Sequence, residues 1–301
     1  MGHDHGATSA AATHRGRLAA ALVIALAVFL VEVVGGIVSG SLAVLADAGH
    51  MLTDIVGLSA ALTAIAWAQR TPSASRTFGN YRIEILAALL NGVLLCVVAA
   101  LVVVEAIRRL GDPPATDASL MLVIGIVGIG ANLVALQLLR PGQAVSLNIR
   151  GAYLEVLGDL LGSIAVVVAA IVMLVTDWGR VDAVASLVIV ALMLPRAIGL
   201  LRATAHVLLE GSPDDVVLDD VRQHLLGVHG VIDVHDLHVW SITSGMPVMS
   251  AHIVVAEDTM RDGGRLLDRL GSCLAEHFDV EHSTFQLEPA GHDDHEGARH
   301  T

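Results

Sequence analysis

Lysine is missing altogether: all 17 basic residues of the 301-residue chain are arginine. Aromatic residues make up only 3% and charged residues only 16%, and the two cysteines are Cys96 and Cys273. Two isolated cysteines form neither a disulfide framework nor a CxxC metal site, so any metal held here is held through nitrogen and oxygen. A net charge of −13 excludes nucleic acid as a partner and points to cations. The sequence has no glycine-rich phosphate loop and no HExxH helix, so neither an ATP-driven pump nor an intramembrane metallohydrolase finds its machinery. The chain does not read as an enzyme and calls for no cofactor.

What it has in abundance is apolar sequence. Hydrophobic residues make up 54% and the mean hydropathy is +0.71, values of a polytopic protein whose partner is a lipid bilayer. Six apolar stretches read as transmembrane helices, at 17–39, 41–69, 82–107, 118–139, 149–175 and 181–204. Each is long enough to cross a hydrocarbon core of about 30 Å. The first, preceded by Arg15 and Arg17, is too long for a signal peptide and is followed by five more spans. With the N-terminus inside, Arg15, Arg17, Arg70, Arg76, Arg82, Arg140 and Arg150 fall on the cytoplasmic side. Only Arg108, Arg109 and Arg180 fall outside, so the arginine bias puts both termini in the cytoplasm; the expected location is the cell inner (plasma) membrane.

Charge divides the chain. Residues 1–206 hold 12 Arg and 12 acids, whereas residues 207–301 hold five Arg and 18 acids. A neutral six-helix membrane domain at 17–206 is therefore expected to carry an acidic cytoplasmic domain at 207–290. A helix over 214–227, strands over 231–242 and 247–256, a helix over 259–277 and a closing strand over 281–288 make that domain α+β. The flanking segments, 1–16 and 291–301, read as disordered polar tails. Their His3, His5, His14, His292, His295 and His300 suit loose metal binding.

Inside this apolar body stand four ionisable residues at helical spacing: His50 with Asp54, and Glu155 with Asp159. Each i, i+4 pair puts two ligands on one helix face. An idle charge near the bilayer centre costs about 2.5–3.5 kcal/mol even on the lenient insertion scale, so four of them need a common purpose. Counted from the ends of spans two and five at 1.5 Å per residue, His50 comes level with Asp159 and Asp54 with Glu155. Gly151, Gly158, Gly162, Ser163 and Gly57 share these faces and let the two helices approach. The predicted site is a divalent metal bound by His50, Asp54, Glu155 and Asp159, with Asp47 one turn away to orient His50. Asn91 and Asn132 read as polar contacts between helices.

The segments SLAVLADAGHMLTDIVGL (41–58), FGNYRIEILAALLNG (78–92), GAYLEVLGDLLGS (151–163) and HVLLEGSP (206–213) resemble the cation diffusion facilitator family. That resemblance implies a homodimer with six spans, a ferredoxin-like cytoplasmic domain, and exchange of cytoplasmic Zn²⁺ for protons. It makes His50, Asp54 and Asp159 the ion ligands. Zinc-selective members usually show histidine where Glu155 stands, so Cd²⁺, Co²⁺ and Mn²⁺ gain credit and a Mn²⁺ or Fe²⁺ exporter is one alternative. A membrane-bound metal sensor signalling through its soluble domain is another. In that domain the resemblance gives His235 and His252 a metal-binding role, and the last strand adds His282, Gln286 and Glu288 as candidates, with Zn²⁺ as activator as well as cargo. Strand alternation turns His238 away from some of these ligands.

Overall fold

The computed structural model describes residues 7–68, 73–142, 147–280 and 282–292. Six long helices come first: α1 (Ala7–Ser39), α2 (Leu42–Ala68), α3 (Arg82–Gly111), α4 (Ala118–Leu139), α5 (Leu147–Thr176) and α6 (Val181–Leu208). Among the described residues five segments are long and apolar enough to cross a membrane: Ala19–Ser39, Arg82–Gly111, Ala118–Leu139, Arg150–Thr176 and Val181–Leu208. Five of the six expected spans are thus matched, and α2, which carries Asp47, His50 and Asp54, is not among these five. The expected N-terminal tail is helical from Ala7 onward. The rest of both tails, except Gly291 and His292, lies outside the described residues.

The chain divides into two compact units, one formed by residues 1–60 and 90–201, the other by 61–89 and 202–301. In the first unit α4 packs along both α5 and α1. Its core is built from small and branched side chains, among them Ala43, Ala46, Leu95, Met121, Val166 and Ala170. Small residues bring backbones close where lipid gives no hydrophobic drive for helix association. Gly162 is the clearest case, because a Cβ there would run into the carboxyl group of Asp47.

The start of α2 is tied down by side chains from other helices. Gly40, at φ 71°, turns the chain between α1 and α2, a conformation that suits glycine. The buried carboxylate of Asp182 on α6 then accepts from the Ser41 hydroxyl (2.6 Å) and from the backbone N–H groups of Leu42 (2.7 Å) and Ala43 (3.1 Å). These are donors that a helix cannot satisfy within itself, and a negative charge at this end also opposes the helix dipole favourably. Arg109 of α3 donates to the Gly40 carbonyl at 2.7 Å and lies 3.5 Å from Asp182. At the start of α4, Asp117 caps its own helix by accepting from the Leu120 N–H at 3.0 Å.

In the second unit α7 (Leu218–Leu226), β1 (Val231–Ser241), β2 (Pro247–Val255), α8 (Glu257–Met260), α9 (Gly263–Phe278) and β3 (His282–Pro289) follow in order. The sheet order is β1-β2-β3, with β1 and β2 antiparallel and β2 and β3 parallel. Leu266, Leu270 and Leu274 recur every fourth residue on α9 and are fully buried against Val234, Met249, Ile253 and Val221. The single helix expected over 259–277 is interrupted after Met260, and α9 starts at Gly263. In the same unit Thr243 donates to Glu84 at 2.8 Å and Arg82 donates to Glu210 at 3.2 Å.

Replacing Asp182 by Ala should strip three donors of their acceptor and leave Arg109 without its partner. We expect a loss of about 2–3 kcal/mol of stability, with Asp182→Asn between the variant and the wild type. Thermal denaturation in detergent checks this, and equal midpoints for all three proteins would remove Asp182 from its capping role.

Candidate metal centres

In the first unit His50, Asp54 and Asp159 converge, each offering a ligand atom within 4.8 Å of the others. His50 Nε2 lies 3.9 Å from Asp54 Oδ2 and 3.8 Å from Asp159 Oδ1. Two ligands on one tetrahedral Zn²⁺, at about 2.0–2.1 Å from the ion, stand about 3.4 Å apart, so these two distances exceed those of a closed site by about half an ångström. His50 and Asp159 are buried, and His50 Nδ1, Asp54 Oδ1 and Asp159 Oδ1 are buried without a hydrogen-bond partner. Of the three atoms that converge, Asp159 Oδ1 is the one left without a hydrogen-bond partner among the described residues, and such a buried orphan beside a histidine nitrogen and a second carboxylate marks a place where something else binds.

Glu155 does not join this cluster. Its carboxylate accepts a 2.5 Å hydrogen bond from Nη2 of Arg196 on α6, while Nη1 of the same guanidinium donates to Asp54 Oδ2 at 3.3 Å. His50 faces Asp159 while one guanidinium spans Asp54 and Glu155, the same two pairings that helical rise had set side by side. What spacing missed is the cation. Arg196 is a lone charge in an apolar run, with no i+4 partner to mark it, although any charge inside a span calls for a counter-charge.

Asp47 also departs from expectation, because it does not orient His50, whose Nδ1 has no hydrogen-bond partner. Its carboxyl group accepts from the Ser163 hydroxyl at 3.5 Å, and Glu32 of α1 lies near the same hydroxyl, since a Cβ on Gly128 would meet both. Asn132 donates to that hydroxyl at 3.4 Å, joining α4 to α5 as a polar contact. Room for the Asp47 carboxyl comes from Gly162, whose missing side chain would fill the same space. Glu32 is buried to 3% exposure and was not visible as a site residue, again because it stands alone in its span.

The second cluster lies on the sheet of the other unit. His235 and His252 face each other across β1 and β2, with ring centroids 5.1 Å apart. Glu288, 1% exposed, lies between them, 3.2 Å from His235 Nε2 and 2.7 Å from His252 Nδ1. Asp236 Oδ2 approaches His235 Nδ1 at 3.3 Å, and Gln286 donates to Glu288 at 2.9 Å. Both ring nitrogens of His235 thus face carboxylates, an arrangement completed by a proton or a metal ion. His235, Asp236 and His252 offer ligand atoms within 4.8 Å of one another.

Asp236 was missed because it sits in a β-bulge. Its φ of 46° inserts an extra residue between His235 and His238, so that His238 pairs with Ser250. The phase of alternation shifts, and His238 lines the same small cavity as His252, Asp236 and Gln286 instead of turning away. His282 does not join the cluster. The parallel register sets it beside Val248, whereas Gln286 is beside His252, four residues or about 13 Å along the strand. It stacks edge-on against Phe78 instead, with centroids 6.4 Å apart.

His235→Ala combined with His252→Ala should remove one bound Zn²⁺ per chain in equilibrium dialysis of the full-length protein, while His282→Ala leaves the count unchanged. A lower count in the His282 variant would restore that residue to the site.

The family profile described as the cation efflux transmembrane domain matches residues 18–209, and that of the cation efflux protein cytoplasmic domain matches residues 213–290. The chain is 43% identical over 303 residues to the cation efflux system protein CzcD of Alcaligenes sp. strain CT14, covering 99% of this chain and 93% of the relative. It is 36% identical over 295 residues to the cadmium, cobalt and zinc/H(+)-K(+) antiporter of Bacillus subtilis strain 168, covering 97% and 93% respectively. A solved structure of the metal-bound C-terminal domain of the CzcD transporter from Cuprividus metallidurans is 36% identical, covers 24% of this chain and 99% of that one, and has a TM-score of 0.23. With both profiles and a near full-length likeness in hand, the chain belongs to the cation efflux, or cation diffusion facilitator, family: a multi-pass membrane transporter of metal cations and not an enzyme.

Proposed function

We propose that the protein exports Zn²⁺, and with it Cd²⁺ and Co²⁺, from the cytoplasm in exchange for protons. The observation that carries this reading is the convergence of His50, Asp54 and Asp159, in which each residue also holds a buried polar atom with no hydrogen-bond partner among the described residues. One nitrogen and two carboxylates suit borderline ions better than Mg²⁺ or Ca²⁺. Glu155 had favoured harder ions, but its charge is taken by Arg196, so the ion faces one histidine and two aspartates. That favours zinc over a Mn²⁺ or Fe²⁺ exporter. The names of the relatives, which include cadmium, cobalt and zinc among their ions, support the same range.

Proton exchange follows from the ligands themselves. Metal binding requires deprotonated groups, and a carboxylate in a low-dielectric span is costly when nothing compensates it. A site that has released its ion therefore takes up protons. We place α2 as a sixth span, both termini in the cytoplasm of an inner-membrane homodimer, and a ferredoxin-like domain from about residue 207 to 290. Metal at His235, Asp236, His252 and Glu288 would draw together two acidic domains that otherwise repel, favouring one conformation by binding it more tightly.

In proteoliposomes, Asp54→Asn or Asp159→Asn should lower Zn²⁺ uptake about a hundredfold or more, since even loss of an outer partner of a metal site costs about 10–100-fold. Wild-type uptake should speed up with an acidic lumen and slow when the gradient is reversed. Wild-type rates in either variant would remove the site, and indifference to the pH gradient would remove the antiport. For the activating role, His235→Ala with His252→Ala should abolish Zn²⁺-induced compaction in solution scattering and slow transport without changing ion preference. Normal compaction in that variant would exclude it.

A further inference from the structure

Arg196 is a cation placed inside a cation site. Its guanidinium reaches Asp54 Oδ2 at 3.3 Å, and that same oxygen faces His50 Nε2 at 3.9 Å. A metal ion seated between His50 and Asp54 would occupy the space that Arg196 uses to reach Asp54. Two cations cannot share one carboxylate oxygen at these distances without strong repulsion. The other fork of the guanidinium rests on Glu155, which is outside the cluster.

We propose that Arg196 is a tethered competitor of the transported metal, which covers Asp54 when the ion has left and retreats onto Glu155 when the next ion arrives. This inference rests on the reading of His50, Asp54 and Asp159 as the transport site. Charge counting supports it. With metal bound, Asp54 and Asp159 balance the two charges of the ion, and Glu155 balances Arg196. After the ion departs, the same arginine spans two carboxylates that would otherwise face each other uncompensated. Only a guanidinium does this well, because its planar fork places two donors on two acceptors at once. The Glu155–Arg196 pair is electrically neutral.

The competitor has room to move, because the Arg196 side chain is 39% exposed rather than packed in on all sides.

The test measures Zn²⁺ and Cd²⁺ binding to the full-length protein in detergent, in a His235→Ala, His252→Ala background that silences the second cluster. Arg196→Gln should bind metal about three- to fivefold more tightly, the equivalent of one partly exposed ion pair. Glu155→Gln should bind more weakly than the parent, because the guanidinium loses its resting place and stays on Asp54. Adding Glu155→Gln to Arg196→Gln should change nothing further. Arg196→Lys, which keeps the charge but not the fork, should lie between the parent and Arg196→Gln, and it decides the matter if Arg196→Gln does not fold. Equal or weaker binding in Arg196→Gln, or in Arg196→Lys where it stands in, overturns the proposal. So does an equal loss from Glu155→Gln in both backgrounds, which would make Glu155 a ligand. Asp54→Asn separates the two levels: if it binds metal as the parent does, the transport site itself is misassigned.

Discussion

A carboxylate taken out of water must find a hydrogen bond, a counter-charge or a proton, and the first unit is organised by that requirement. Asp182 meets it with a hydroxyl, two backbone N–H groups and Arg109. Asp47 meets it with Ser163, and Glu155 meets it with Arg196. Asp54 is shared between Arg196 and the cluster, and Asp159 is left with one oxygen unpartnered. The burden falls unevenly, and the place where it is least relieved is the place where a divalent ion would relieve it.

The helices themselves add little chemistry but decide who can meet. Small residues along α4 and α5 draw the backbones in, and the gap at Gly162 decides where the Asp47 carboxyl lies. That choice sends Asp47 away from His50 and towards α1. The result is two adjoining polar groups in one bundle: a ligand cluster facing α6, and a carboxyl pair facing α1 and α4.

The parts of this arrangement that repeat were legible in the sequence. His50 with Asp54, and Glu155 with Asp159, announce themselves because two charges four residues apart in an apolar run have one geometric meaning. The matching of depths across antiparallel helices followed from rise per residue alone. Arg196 and Glu32 were not legible, since a single charge in a span shows that it needs a partner but not which one. On the sheet, His235 and His252 lie on strands whose pairing the pattern suggested. The bulge at Asp236 and the register of β3 were hidden, because both depend on how the chain is threaded rather than on local alternation. Hence His238 was turned the wrong way and His282 was credited with a place it does not reach.

The tether at the start of α2 has a mechanical side. Ser41, Leu42 and Ala43 are fastened to Asp182, so that end of the helix acts as a fulcrum when the helix tilts. His50 and Asp54 stand about 12 and 18 Å along the lever at 1.5 Å per residue. A tilt of about 10° would then carry them roughly 2–3 Å, as much as the length of a bond from zinc to its ligand. Small angles at a fixed end are therefore enough to open or close a coordination shell, and the stiffness of the fulcrum sets how much of the swing reaches the ion.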